Sequence, residues 1–255
     1  MMKVSQLYDF LNKRIPRELS CEWDNDGLAC CPDPERQVKR VLLALDITEE
    51  TVARAIDGGY DVILAHHPLI FRPIKALTPD YGVPAKLIRL VQNGISAMAF
   101  HTRLDALEGG VNDVLARQLG LLGVEVFGPE GEKMGRVGNI ESPMELDRFA
   151  ELVRDKLGAP FVLVNGNRTV SRVAVLGGNG DDFIGAAIAA GADTYVSGRL
   201  GYHPMVDAPE NGINLIEAGH YFTEAPVLRY LENLVKEADG GIETTTIDSN
   251  RIRAI

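Results

Sequence analysis

VKRVLLALDITEETVARAIDGGYDVILA (38–65) and VSRVAVLGGNGDDFIGAAIAAGADTYVS (170–197) align without a gap at an offset of 132 residues. Val38, Arg40, Val41, Ala55, Ile56, Gly59 and Asp61 are matched by Val170, Arg172, Val173, Ala187, Ile188, Gly191 and Asp193. Apolar pairs alone would follow from the shared composition of buried strands. Here the polar residues also keep step, and such self-similarity points to duplication of one unit. Further on, Asn93-Gly94-Ile95 corresponds to Asn211-Gly212-Ile213. After one inserted residue, His101 and Asp105 correspond to His220 and Glu224.

Working outward, strand and helix signals alternate. Val38 to Asp46 is a continuous apolar run suited to a buried parallel strand, and TEETVARAIDGG reads as a helix capped by Thr48 and closed by glycines. DVILA (strand), VPAKLIRLVQNG (helix), ISAMAF (strand) and GGVNDVLARQLG (helix) follow. In the second half come the helix DRFAELVRDKLG, FVLV, RVAVLGG, a helix through Ile188, DTYVSG, NLIEAG and one long helix, TEAPVLRYLENLVKEA. The expected fold is α/β: two similar α/β units packed face to face around a cleft, with no inserted domain. The glycine- and proline-bearing stretch 124–142 is the expected junction, giving halves 1–125 and 126–255 of one compact whole.

Composition narrows the function. The chain has 255 residues, 45% hydrophobic and 24% charged, with a net charge of −10. A pI near 5.0 disfavours a surface that tracks a phosphate backbone, so nucleic acid is not an expected partner. No apolar run approaches the ~20 residues of a membrane span, and MMKVSQLYDFLNKRIP patterns as an amphipathic helix, not a signal peptide. Cys21, Cys30 and Cys31 form no C-x-x-C pair and read as reduced thiols. A cytoplasmic protein is expected.

The chain has five histidines, and four of them carry the chemistry. His66 and His67 follow the strand DVILA; His101 follows ISAMAF, with Asp105 four residues on; His220 follows NLIEAG, with Glu224 four residues on. Ligand groups in parallel α/β sheets gather at the carboxyl ends of strands. Imidazole and carboxylate together are the donor set of Zn²⁺, Mn²⁺ and Fe²⁺. His203, in GYHP, lacks a carboxylate at that spacing and reads as a loop histidine. GGNGDD (177–182) fits no phosphate-binding pattern, and Asp181 and Asp182 would repel an anion, so it reads as a turn with an acidic helix cap.

WDNDGL (23–28), LAHHPLIF (64–71), FHTRLDALEGGVND (100–113), GADTYVSG (191–198) and AGHYFTE (218–224) occur in the order of one family's hallmark segments. The chain resembles the NIF-three-like family of dinuclear-metal proteins, the GTP cyclohydrolase 1 type 2 homologues, from about residue 3 to 250. The resemblance implies two divalent cations per chain (Zn, Mn, Fe or similar), held by His66, His67, Asp105, His220 and a shared Glu224. It places His101 beside them as proton shuttle or additional ligand, sets the WDNDGL loop with the sole tryptophan, Trp23, near the cleft, and implies a homohexamer. Three segments depart from the family's pattern: Arg103 stands for an Asn, Asp26 for a Val, and Ser197-Gly198-Arg199 for Thr-Gly-Glu. Arg103 and Arg199 are candidates for positive charge near the cleft, suited to an anionic or nucleotide substrate.

Three readings of function remain open at this stage. The first is metal-dependent hydrolysis of a nucleotide such as GTP, opening the guanine imidazole ring and releasing formate. A phosphoesterase would use the same pair of ions. A metal-binding or regulatory hexameric scaffold needs no turnover.

Overall fold

The computed structural model describes residues 2–255. In chain order the elements are α1 (Val4–Arg14), β1 (Gly27–Cys30), β2 (Arg40–Ala44), α2 (Glu49–Asp57), β3 (Val62–Ala65), α3 (Gly82–Gln92), β4 (Ser96–Ala99), α4 (Thr102–Ala106) and α5 (Val111–Leu119). There follow β5 (Leu122–Phe127), β6 (Gly135–Met144), α6 (Leu146–Leu157), β7 (Leu163–Asn165), β8 (Val170–Asn179), α7 (Ile184–Ala189), β9 (Thr194–Arg199) and α8 (Tyr202–Asp207). The last are β10 (Asn214–Glu217), α9 (His220–Glu224), α10 (Leu228–Ala238) and β11 (Glu243–Thr246). Among these residues no helix is long and apolar enough to cross a membrane.

The chain divides into two compact units: Met1–Leu104 with Leu228–Arg251, and Asp105–Val227 with Ile252–Ile255. Each carries one sheet, ordered β1-β4-β3-β2-β11 in the first unit and β5-β6-β8-β9-β10-β7 in the second. The sequence-based halves differ from these units in two places. The crossing falls within α4, and the glycine-bearing stretch expected as a junction is the β5–β6 hairpin of the second unit. The C-terminal α10 and β11 belong to the first unit, because β11 pairs in parallel with β2. The long helix expected from Thr223 is also broken: Ala225–Val227 is a 3₁₀ turn around Pro226, whose ring and missing N–H interrupt the helical ladder.

The repeat is visible in the pairing itself. Val41 lies opposite Val62 between β2 and β3, and Val173 opposite Thr194 between β8 and β9, the same register shifted by 132. Both units add a third parallel strand (β4, β10) and close that edge with an antiparallel one (β1, β7). The matched polar residues have structural reasons. Gly59 and Gly191 turn the chain from helix to strand at φ +62° and +76°, where a Cβ is strained. Asp61 accepts from the backbone N–H groups of Lys39 and Arg40, and Asp193 from those of Ser171 and Arg172. The Arg40 and Arg172 guanidiniums cap the carbonyls of Gly58 and Ala190.

The central strands VLLA and VILA are buried throughout, as parallel strands covered on both faces require. Leu42, Ile63, Leu87 and Leu90 share one core with Val52 and Ala55 of α2; Phe149, Val153, Val173, Val196 and Ile216 share that of the second unit. Each such side chain contributes about 1.5–3 kcal/mol by leaving water. Thr48 caps α2, its side chain accepting from Thr51 N–H. These rigid strands fix where their carboxyl ends emerge, and the histidines begin there.

Candidate metal centre

In the first unit, β3 and β4 run side by side with Ala65 opposite Ala99, so the chains leave the sheet together. Adjacent strands lie about 4.8 Å apart, which brings the residues just beyond them into contact range. The His66 and His67 rings are 4.9 Å apart between centroids, and His101 lies 5.3 Å from His66 and 5.6 Å from His67. One ring nitrogen from each lies within 4.8 Å of the other two.

Each ring has its Nδ1 engaged by an oxygen that can only accept. His66 Nδ1–H donates to the Phe100 carbonyl at 2.9 Å, His67 to Asp46 Oδ1 at 2.7 Å, and His101 to Asp24 Oδ1 at 2.9 Å. With the proton on Nδ1, the lone pair of a neutral imidazole is on Nε2, the arrangement that orients histidine ligands. Asp46 and Asp24, which fix the His67 and His101 rings, are not singled out by the sequence reading. Asp46 was within its reach, since it closes the strand VLLALD and the strand-end rule applies to carboxylates too.

The WDNDGL loop is stapled in an alternating way. Asp24 and Asp26 point to the start of α4: Asp24 Oδ2 accepts from Thr102 N–H (3.0 Å) and Oγ1 (2.6 Å), and Asp26 Oδ2 from His101 N–H. Asn25 Nδ2 donates to the Ile70 carbonyl at 2.5 Å, tying this loop to the HHPLIF segment. Burial alone would raise the Asp24 carboxyl; the hydrogen bonds from His101 and Thr102 outweigh it and bring it down to about 2. Asp24 therefore stays ionised. Trp23 is exposed, its ring 6.3 Å from His101, so the indole is beside the imidazole cluster and not a core anchor.

Arg103 does not place charge at an open surface. Its side chain is fully buried, Nε donating to Asp26 Oδ2 at 2.8 Å and Nη1 to Asn12 Oδ1 and the Ile15 carbonyl, with the guanidinium over the Phe100 ring. The two departures at positions 26 and 103 are thus one buried ion pair. Arg199 is exposed at the end of β9.

In the second unit, α9 carries His220 and Glu224 one turn apart, with His220 Nε2 3.0 Å from Glu224 Oε2. Asp105, on α4, has a carboxylate oxygen within 4.8 Å of one from Glu224, and Glu224 is buried. Two carboxylates this close repel unless a cation or a proton sits with them. Thr223 holds α9 to the sheet, its Oγ1 accepting from Gly178 N–H. The sheet backbone comes so close that a Cβ on Gly178 would fall 2.4 Å from Glu224 Oε1, and one on Gly198 2.8 Å from His220 Cα. Each group taken by itself, three oriented imidazoles in the first unit and two carboxylates with an imidazole in the second, is made of donor types that suit divalent first-row cations.

His203 is exposed on α8, edge-on to Tyr202 and outside these groups. The GGNGDD segment is a turn, with Asp181 accepting from Gly201 N–H at 2.6 Å.

The family model described as Duf34/NIF3 (NGG1p interacting factor 3) matches residues 2–252. A Lactococcus lactis protein named GTP cyclohydrolase 1 type 2 homolog is 35% identical over 247 residues, 95% of each chain. One of the same name from Clostridium perfringens is 34% identical over 242 residues, 92% of each. The crystal structure of a Bacillus cereus protein related to NIF3 superposes with a TM-score of 0.90 at 25% identity, covering 100% of this chain and 99% of its own.

Proposed function

For a chain that belongs to the Duf34/NIF3 family, we propose the function of a metal-dependent hydrolase acting on a nucleotide, with His66, His67, Asp105, His220 and Glu224 as ligands of two divalent cations. The observation that carries this reading is the imidazole cluster of the first unit, in which all three rings have Nδ1 occupied by an acceptor oxygen. Rings fixed through Nδ1 and converging on one another support ligation by His66 and His67, with His101 beside them. When bound, two such cations supply Lewis acidity and lower the pKa of water toward neutrality.

The chain's own residues do the rest. Asp46 and Asp24 hold His67 and His101 in one tautomer and orientation. The Phe100 carbonyl does the same for His66 without adding charge. His101, fixed by Asp24 beside the other two rings, is placed to pass a proton. The relatives' name, GTP cyclohydrolase 1 type 2 homolog, extends the proposal to GTP as substrate, for which the family resemblance implies opening of the guanine imidazole ring with release of formate.

The test has two readouts, metal content and product. Purified protein is expected to carry about two ions per chain, lost in a His66→Ala, His67→Ala variant. With GTP the metal-loaded protein should release formate, and Glu224→Gln should abolish this. Absence of bound metal after adding Zn²⁺, Mn²⁺ and Fe²⁺, or equal turnover by the Glu224→Gln protein, sinks the proposal. Free phosphate without formate replaces ring opening by phosphoester hydrolysis.

A further inference from the structure

Trp23 is the sole tryptophan of the chain and sits with 55% of its surface exposed, beside Phe71 at 48%. Large aromatic side chains ordinarily contribute by burial, so an exposed pair fixed in place needs a reason. The two rings meet edge-on with centroids 6.1 Å apart and planes at 77°. Both also meet His101 edge-on, at 6.3 Å and 6.0 Å. Neither segment is loose: Asp24 is bonded to His101 and Thr102, and Asn25 to the carbonyl of Ile70, the residue before Phe71. The backbone on either side of this aromatic corner is therefore tied to the imidazole cluster.

We propose that Trp23 and Phe71 form a stacking corner that receives a planar heteroaromatic ring of the substrate, a nucleobase, and sets it next to His101. A ring laid on one wall of a right-angled corner meets the other wall edge-on, so both of the favoured aromatic geometries are satisfied at once. Stacking reads a π-face and is indifferent to phosphate, so this corner selects ligands by ring and not by charge. The inference rests on the hydrolase reading for the reaction that follows but makes its own claim about binding. It assigns Trp23 and Phe71 as specificity-determining residues.

Because Trp23 is the only indole, its emission reports this site directly. The full chain, loaded with Mn²⁺ or Zn²⁺, would be titrated with guanosine, GTP, ribose 5-phosphate and inorganic triphosphate, exciting where guanine does not absorb. Saturable change with guanosine and GTP, and none with the two ring-free probes, is the expected result. Equilibrium dialysis of guanosine should show affinity weakened about tenfold by Phe71→Ala or Trp23→Ala and largely kept by Trp23→Phe, with metal content unchanged in all three. Equal responses to inorganic triphosphate and guanosine, or unweakened binding by both alanine variants, overturn the proposal. A protein that holds metal and releases formate yet shows no ring-dependent emission change overturns this inference alone. Ring-dependent binding by a protein that takes up no metal upholds it and overturns the hydrolase reading.

Discussion

The two units use one strand register to opposite ends at the carboxyl end of the sheet. In the first, positions 66 and 67 carry histidines beyond β3; in the second, the equivalent positions 198 and 199 are Gly198 and Arg199 of β9. The difference is steric. Helix α9 packs so close that a Cβ at 198 would fall 2.6 Å from Thr223 Oγ1 and 2.7 Å from the Gly178 carbonyl. The second unit thus brings its donors in on a helix and gives up side chains on the strand end; the first does the reverse. The two copies keep one strand register and differ in which side chains end the strands.

Their anchoring differs as well. Helix α4 is held by two carboxylates, Asp24 and Asp26, whereas α9 is held by a hydroxyl, Thr223, and by glycines that admit it closely. The largest effect that would test this contrast is at the buried pair. Arg103→Met leaves Asp26 charged and buried, and is expected to cost about 3–5 kcal/mol in urea unfolding. Combining it with Asp26→Leu should recover much of that loss, since an apolar pair of similar volume tolerates the site. Simple addition of the two losses would show that the charges do not act as a unit.

Next in size is the strand-end position itself. Gly198→Ala is expected to destabilise by about 1–3 kcal/mol, because backbone atoms of β8 and α9 must give way. His67→Ala, at the position matching Arg199, gives up one partly exposed bond to Asp46 and should change the stability of the metal-free protein far less while removing a candidate ligand. Similar thermal shifts for the two variants would break the comparison.

The smallest effect is acid sensitivity of the α4 clamp. Asp24 is lowered from 3.8 to about 2 in the folded protein, so its contribution is complete above about pH 4 and is lost as pH falls through about 2. In metal-free protein, Asp24→Asn should flatten the decline of the unfolding midpoint across that window. An unchanged slope would remove Asp24 from the clamp.

Much of this was legible in the chain. The ungapped repeat located the strands β2, β3, β8 and β9 in register, and Thr48 and the glycines at 58 and 59 marked the ends of α2 correctly, because caps and left-handed turns are local requirements. Histidines after strands were legible for the same reason. Long-range partners were not. Nothing local announces that β11 joins β2 across some two hundred residues, or that Arg103 reaches Asp26 and not solvent. Pro226 did announce the break between α9 and α10, and its signal was outweighed by the apolar periodicity around it.

By itself, then, the sequence determined the fold class, the duplication and which residue types end which strands, since periodicity, capping and composition act over a few residues. Only the tertiary structure decided which imidazoles meet, which oxygens fix their tautomers, and that two apparently separate substitutions are one buried ion pair. Those outcomes depend on strand adjacency and burial, and distance along the chain does not encode either.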